Sequence, residues 1–250
     1  MAVKTYPAPQ KQERRGPKAI TWVRAAAWVG ALLPVAWLLV AFYTDDLTAN
    51  PIEYITRFTG FWALTMLVVT LAVTPVRRLT RWNEIIKLRR PLGLFAFFYA
   101  TLHLLTWIVL DKFFDWQWMI EDVLERRFIT VGMLTWVLLL PLAITSTKGM
   151  IRRLGRRWQT LHRLSYVAAA TGTIHFWWLV KADLYEPQMF TLALSVLLGF
   201  RAWWTWRTSP SPSARRCKIV SSGCISFSFS STPASKSAPG SGRPATCVPT

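Results

Sequence analysis

The chain reads as an all-α membrane protein, a bundle of six transmembrane helices with both termini on the cytoplasmic side. Three observations predict this. Of its 250 residues, 52% are hydrophobic and 15 are Trp, and the mean hydropathy is +0.28. The apolar residues gather in six runs, near 22–43, 58–76, 92–110, 129–145, 163–180 and 188–206. About 18 to 20 apolar residues suffice for a helix to cross a bilayer core. Finally, the formal net charge of +18 is sorted between the two sides of such a bundle.

Each element follows in order. Residues 1–21 form a basic, polar cytoplasmic tail, and the first run is too long for the apolar part of a cleaved signal, so it stays as an anchor. The second run leads into the basic loop RRLTRWNEIIKLRR (77–90), and the third starts at Pro91. The loop DKFFDWQWMIEDVLERR (111–127) mixes aromatics with acids. It suits either an interfacial helix or a simple connection. The fourth run precedes a second basic loop, KGMIRRLGRRWQTLH (148–162), and the fifth and sixth complete a helical domain over 22–207. Residues 208–250 are rich in Ser, Pro and Gly and read as a disordered tail. They hold no GxGxxG and are too short for a flavin or nicotinamide domain. No internal repeat stands out, which disfavours an inverted-repeat transporter.

Charge sets the orientation. The loops 44–57, 111–128 and 181–187 share one side, with only Arg57, Lys112, Arg126, Arg127 and Lys181 among the 30 Lys and Arg. That side carries 10 of the 12 acids, so the basic side faces the cytoplasm. The positive charge therefore reports topology and contact with anionic lipid rather than nucleic-acid binding. Cys217, Cys224 and Cys247 all lie in the tail, without a CxxC or CxxCH pattern. Covalent haem attachment and thiolate zinc sites are thereby unsupported.

The chain has three histidines, His103, His162 and His175. An ionisable group in lipid marks function by default. His103 lies 12 residues into the third run and His175 12 residues into the fifth, each roughly 18 Å deep at 1.5 Å per residue. Two imidazoles on different helices at one depth suit the axial ligation of a haem iron. Gly93, Ala96 and Ala100, with Ala168, Ala169, Ala170 and Gly172, give a flat macrocycle room or simply let helices pack closely. His162 falls about 20 Å below His175 if one helix carries both. It is a candidate inner ligand or a solvated surface residue. The matching inner positions on the third run are Arg89 and Arg90, poor iron ligands but good partners for a haem propionate.

The segments LRRPLGLFAFFYATLHL (88–104), WQTLHRLSYVAAATGTIHFWW (158–178) and TGFWAL…TP (59–75) resemble the MsrQ (YedZ) family. These are haem-binding membrane subunits of the bacterial protein-methionine-sulfoxide reductase system, in the ferric-reductase-like transmembrane superfamily. The resemblance covers roughly 20–207. It implies a cytochrome b-type bundle in the bacterial inner membrane with one or two haem b groups. His103 and His175 would hold the outer haem and His162 would be the inner histidine, where NADPH-oxidase-type relatives carry a further histidine in place of Arg89 or Arg90. Electrons would come from the quinol pool or a cytosolic flavin reductase. They would pass to the periplasmic molybdopterin enzyme MsrP, which repairs oxidised methionines. FMN is implied by the resemblance alone. Such a chain is an electron-transfer subunit rather than a stand-alone enzyme. The competing readings are a haem-free membrane scaffold and a histidine-based proton or ion relay. The relay lacks Asp or Glu within the six apolar cores.

Overall fold

Helices and their short connections make up the described residues, 17–180 and 184–208 of a computed structural model. Most of the two predicted tails, 1–21 and 208–250, lies outside those residues. The helices are α1 (Pro17–Tyr43), α2 (Pro51–Thr80), α3 (Arg89–Thr106), α4 (Trp116–Glu125), α5 (Arg127–Ile144), α6 (Lys148–Leu154), α7 (Arg156–Leu161), α8 (Leu164–Leu179) and α9 (Tyr185–Arg207). One unit runs to Trp204, and the packing described below lies within it.

Local chemistry starts and stops these helices. Asn50 caps α2 by accepting from the Glu53 N–H, and Pro51 occupies the first turn, where its missing N–H is harmless. Arg81 ends that helix in the left-handed region at φ 55°. Asp115 caps α4 through bonds from the Gln117 and Trp118 amides. Thr147 caps α6. A 3-10 segment, Asn83–Leu88, leads into α3, and a π-type turn, Trp107–Asp111, carries it on.

Four of the six expected spans are long and apolar enough to cross a membrane, over 20–43, 51–80, 83–111 and 127–144. The fifth and sixth apolar runs form α8, of 16 residues, and α9, of 23. The ambiguous loop 111–127 contains a true helix, α4, with Trp116, Trp118, Ile120 and Leu124 exposed. Its buried Asp122 pairs with Lys112 and Arg126.

Four helices position the site. α2 packs chiefly on α3, α5 on α8, and the two pairs meet through α2 with α8 and α3 with α5. Small residues are sealed where these helices pack: Ala96 on α3 and Ala168 and Ala169 on α8 are completely buried, which lets the backbones approach closely. α1 leans on α3 and α2. There the fully buried Tyr99 donates its hydroxyl to the Ala31 carbonyl at 2.7 Å. That contact sits beside Pro34, where α1 lacks one helical N–H. The rest of α1 turns Trp28, Leu32, Leu33, Trp37 and Val40 outward, an apolar surface of the kind lipid covers.

Candidate metal centre

His103 on α3 and His175 on α8 face each other with ring centroids 6.1 Å apart and planes at 77°. Neither ring is free to turn. The Nδ1 of His103 is bonded to the Thr56 carbonyl at 2.8 Å. The Nδ1 of His175 is bonded to the Phe128 carbonyl at 2.7 Å. A carbonyl only accepts, so each Nδ1 carries the proton and donates. Each Nε2 is then an unprotonated lone pair, the form a metal binds.

Two glycines make room for the rings. A Cβ on Gly60 would lie 3.0 Å from His103 Cε1 and Nδ1, and one on Gly132 would lie 2.9 Å from the same atoms of His175. Thr106 adds a bond to the His103 carbonyl at 2.8 Å and a contact with Thr56. Each half-site is therefore the same device: a histidine, a carbonyl 47 residues earlier, and a glycine one turn after that carbonyl.

The two devices are related by a constant shift. His175, Phe128 and Gly132 each stand 72 positions after His103, Thr56 and Gly60. The same shift carries Leu92, Ala96 and Thr101 onto Leu164, Ala168 and Thr173. This internal equivalence escaped the sequence reading because few side chains match and most that do are common membrane residues. The paired glycines and histidines in one register were the available signal. The small residues chosen for space serve differently. Ala96, Ala168 and Ala169 are sealed in the helix seam. A Cβ on Gly93 would meet Thr70, and one on Gly172 would meet Leu64 and Thr135.

The surroundings of His162 are built otherwise. His162 caps the end of α7, and α8 begins only at Leu164. His162 and His175 therefore do not share one continuous helix: a turn at 162–163 separates the His162 ring from the register of α8. His162 stacks on Trp158 at 3.9 Å, and its Nδ1 is bonded to the Trp158 carbonyl at 3.1 Å. Trp158 in turn donates its indole N–H to the Thr145 carbonyl at the end of α5, at 3.1 Å. Burial lowers the His162 pKa below the usual histidine value, the Trp158 carbonyl opposes this, and the Arg89 charge lowers it further. The 72-residue shift sets Arg90, not a histidine, in the place equivalent to His162.

The chemistry of the donor set can be tested against candidate metals. Among the described residues no group of three or more His, Cys, Asp or Glu side chains could hold a metal ion. A bare zinc site wants three or four protein ligands. An iron whose equatorial positions are filled by a porphyrin wants two, one from each side. With metal–nitrogen bonds of about 2.0 Å, two such imidazoles have centroids roughly 6.3 Å apart. The observed 6.1 Å fits that separation.

Comparison with known proteins agrees. Residues 59–173 match the family of ferric reductase like transmembrane components. The chain is 53% identical over 194 residues to the protein-methionine-sulfoxide reductase heme-binding subunit MsrQ of Herminiimonas arsenicoxydans, covering 76% of this chain and 89% of that one. It is 50% identical to the MsrQ of Ralstonia nicotianae over the same shares. With the MsrQ of Rhodospirillum rubrum it is 51% identical over 71% of this chain and 86% of that protein.

Proposed function

The chain belongs to the MsrQ family of haem-binding membrane subunits, and from that premise we propose that it carries electrons across the bacterial inner membrane on haem b. The observation that carries this reading is the facing pair His103 and His175, each held by a carbonyl and accommodated by a glycine.

In this reading His103 and His175 would hold the iron of an outer haem, and the domain over 22–207 is a six-span bundle with both termini in the cytoplasm. The bound haem supplies one-electron redox chemistry. The chain's own residues do the rest. The Thr56 and Phe128 carbonyls hold the Nδ1 protons and aim the rings. Gly60 and Gly132 admit them. The sealed seam of Ala96, Ala168 and Ala169 keeps water from the centre. At the inner level His162 is a candidate ligand, and Arg89 and Arg90 are candidate partners for propionates. Electrons enter from membrane quinol or a cytosolic flavin reductase. They leave to a periplasmic molybdopterin reductase of the MsrP type, which reduces methionine sulfoxide in proteins. Like-charged arginine clusters near His162 suit an acidic donor. The proton-relay alternative finds less support, since the carbonyls hold both Nδ1 protons.

The test is a dithionite-reduced minus oxidised visible spectrum of the purified, haem-supplied protein, with its haem-to-protein ratio. A b-type α-band is expected. A blank spectrum from correctly inserted protein would remove the reading.

A further inference from the structure

Asp122 is the only charged side chain that is buried among the described residues. A carboxylate in such a place needs partners, and this one has two. Its Oδ2 meets the Lys112 ammonium, and its Oδ1 stands 3.3 Å from Arg126 Nε. Lys112 is itself largely covered, whereas Arg126 is half exposed.

The two cations belong to the two half-sites. Lys112 ends the π-type turn that continues α3, the helix of His103. Arg126 closes α4 and opens α5, two residues before Phe128, whose carbonyl holds His175. Asp122 therefore ties the helix that carries one imidazole to the helix whose carbonyl aims the other. Two more bonds join α4 to α5. The Arg126 N–H donates to the Asp122 carbonyl at 3.0 Å, and the Thr130 hydroxyl donates to the Val123 carbonyl at 2.5 Å. The link from Lys112 to α4 is strained. Phe113 and Phe114 both lie in the left-handed region, at φ 48° and 62°, which bulky side chains rarely adopt. Strain of this kind persists only where the surroundings over-determine it. Here the Lys112–Asp122 pair and the Asp115 cap of α4 hold the turn from both ends.

An apolar contact of like shape often stabilises packed helices as well as a buried ion pair does. What the charges add is direction: each oxygen of one carboxylate answers one cation, so the ends of α3 and α5 are held at one separation. We propose that Asp122, through Lys112 and Arg126, is a positioning residue for the haem. It sets the separation of α3 and α5, and with it the spacing and tilt of the His103 and His175 rings. The inference rests on the haem reading above and adds the support that holds the two half-sites in register. Thr56, Phe128, Gly60 and Gly132 each act within one half-site; Asp122 acts between them.

The experiment compares the haem-loaded full chain in detergent with Asp122→Asn, Lys112→Met, Arg126→Gln and Asp122→Glu. It reads the thermal midpoint, the EPR spectrum of the ferric haem and the rate of haem transfer to apomyoglobin. The largest g value of a ferric haem follows the mutual orientation of its axial imidazoles, and the relevant signal is the one lost in His103→Ala. Asp122→Asn and Lys112→Met should each displace that g value and speed haem transfer about tenfold, the lower end of what groups supporting a metal ligand contribute. Arg126→Gln should shift both in the same direction by less, and Asp122→Glu, which keeps the charge, should fall between wild type and Asp122→Asn. A lower thermal midpoint with unmoved g value and unchanged haem transfer would overturn the proposal and leave the cluster a structural ion pair. If Asp122→Asn yields no folded protein, Arg126→Gln, at its half-exposed position, decides on the same two readouts. A wild-type chain without a b-type spectrum would remove the haem reading itself, whereas a normal wild-type spectrum with unmoved variants removes only this inference.

Discussion

In the proposed orientation, the outer level, with His103 and His175, and the inner level, with His162, are finished differently. At the outer level the pairs match residue for residue: His103 with His175, Gly60 with Gly132, and a carbonyl acceptor for each ring. Around His162 the 72-residue shift sets Arg90, not a histidine, in the equivalent position. The outer rings sit inside regular helices, whereas the inner ring sits in a turn between α7 and α8, held by stacking on Trp158. Matched halves make a symmetric clamp around one guest. Mismatched halves leave a histidine on one side and a fixed positive charge on the other, a setting suited to an anionic group.

The sharpest way to break this comparison is to remove one half of the outer clamp. His103→Ala and His175→Ala should each eliminate the outer haem entirely, read as a lower haem-to-protein ratio by pyridine haemochrome assay. Full haem in both variants would sink the axial assignment. Next in size is Arg90→His, which places an imidazole where the 72-residue shift calls for one. The haem ratio should rise if the inner level now holds its group less completely. An unchanged ratio would show that Arg90 is not the missing half.

Equivalence of the halves is tested by Gly60→Ala and Gly132→Ala. Each adds a methyl about 3 Å from an imidazole, and overpacking of this kind costs roughly 1–3 kcal/mol. Both variants should bind haem weakly and to a similar degree, measured by titration of the apoprotein. A large effect in one and none in the other would mean that the halves are alike in sequence register but not in load. His162→Ala should leave the outer haem spectrum alone and slow its reduction from the cytoplasmic side, followed by stopped-flow absorbance. Unchanged kinetics would make His162 a surface residue. The smallest effect belongs to Tyr99→Phe, which removes the bond to the Ala31 carbonyl. About 0.6–1 kcal/mol of stability should be lost, seen as a modest fall in the thermal midpoint with haem content retained.

Much of the site was legible along the chain. Hydropathy alone placed His103 and His175 on separate helices, and the structure brings their rings face to face. The half-site partners were not legible. Thr56 and Phe128 contribute only backbone carbonyls, which every residue has. Gly60 and Gly132 matter because of what a Cβ there would strike, a fact of packing between helices. Nor did composition separate the glycines and alanines that seal the seam from those that admit a ring.

What the sequence by itself determined is the set of local quantities: the apolar runs that form helices, the placing of His103 and His175 on separate helices, and the family resemblance carried by its motifs. These depend on near neighbours in the chain and on the fixed geometry of the α-helix. The tertiary structure alone decided which carbonyl fixes each imidazole and that His162 sits in a turn between α7 and α8. Those outcomes depend on how residues tens of positions apart are brought into contact, and no local pattern encodes that distance.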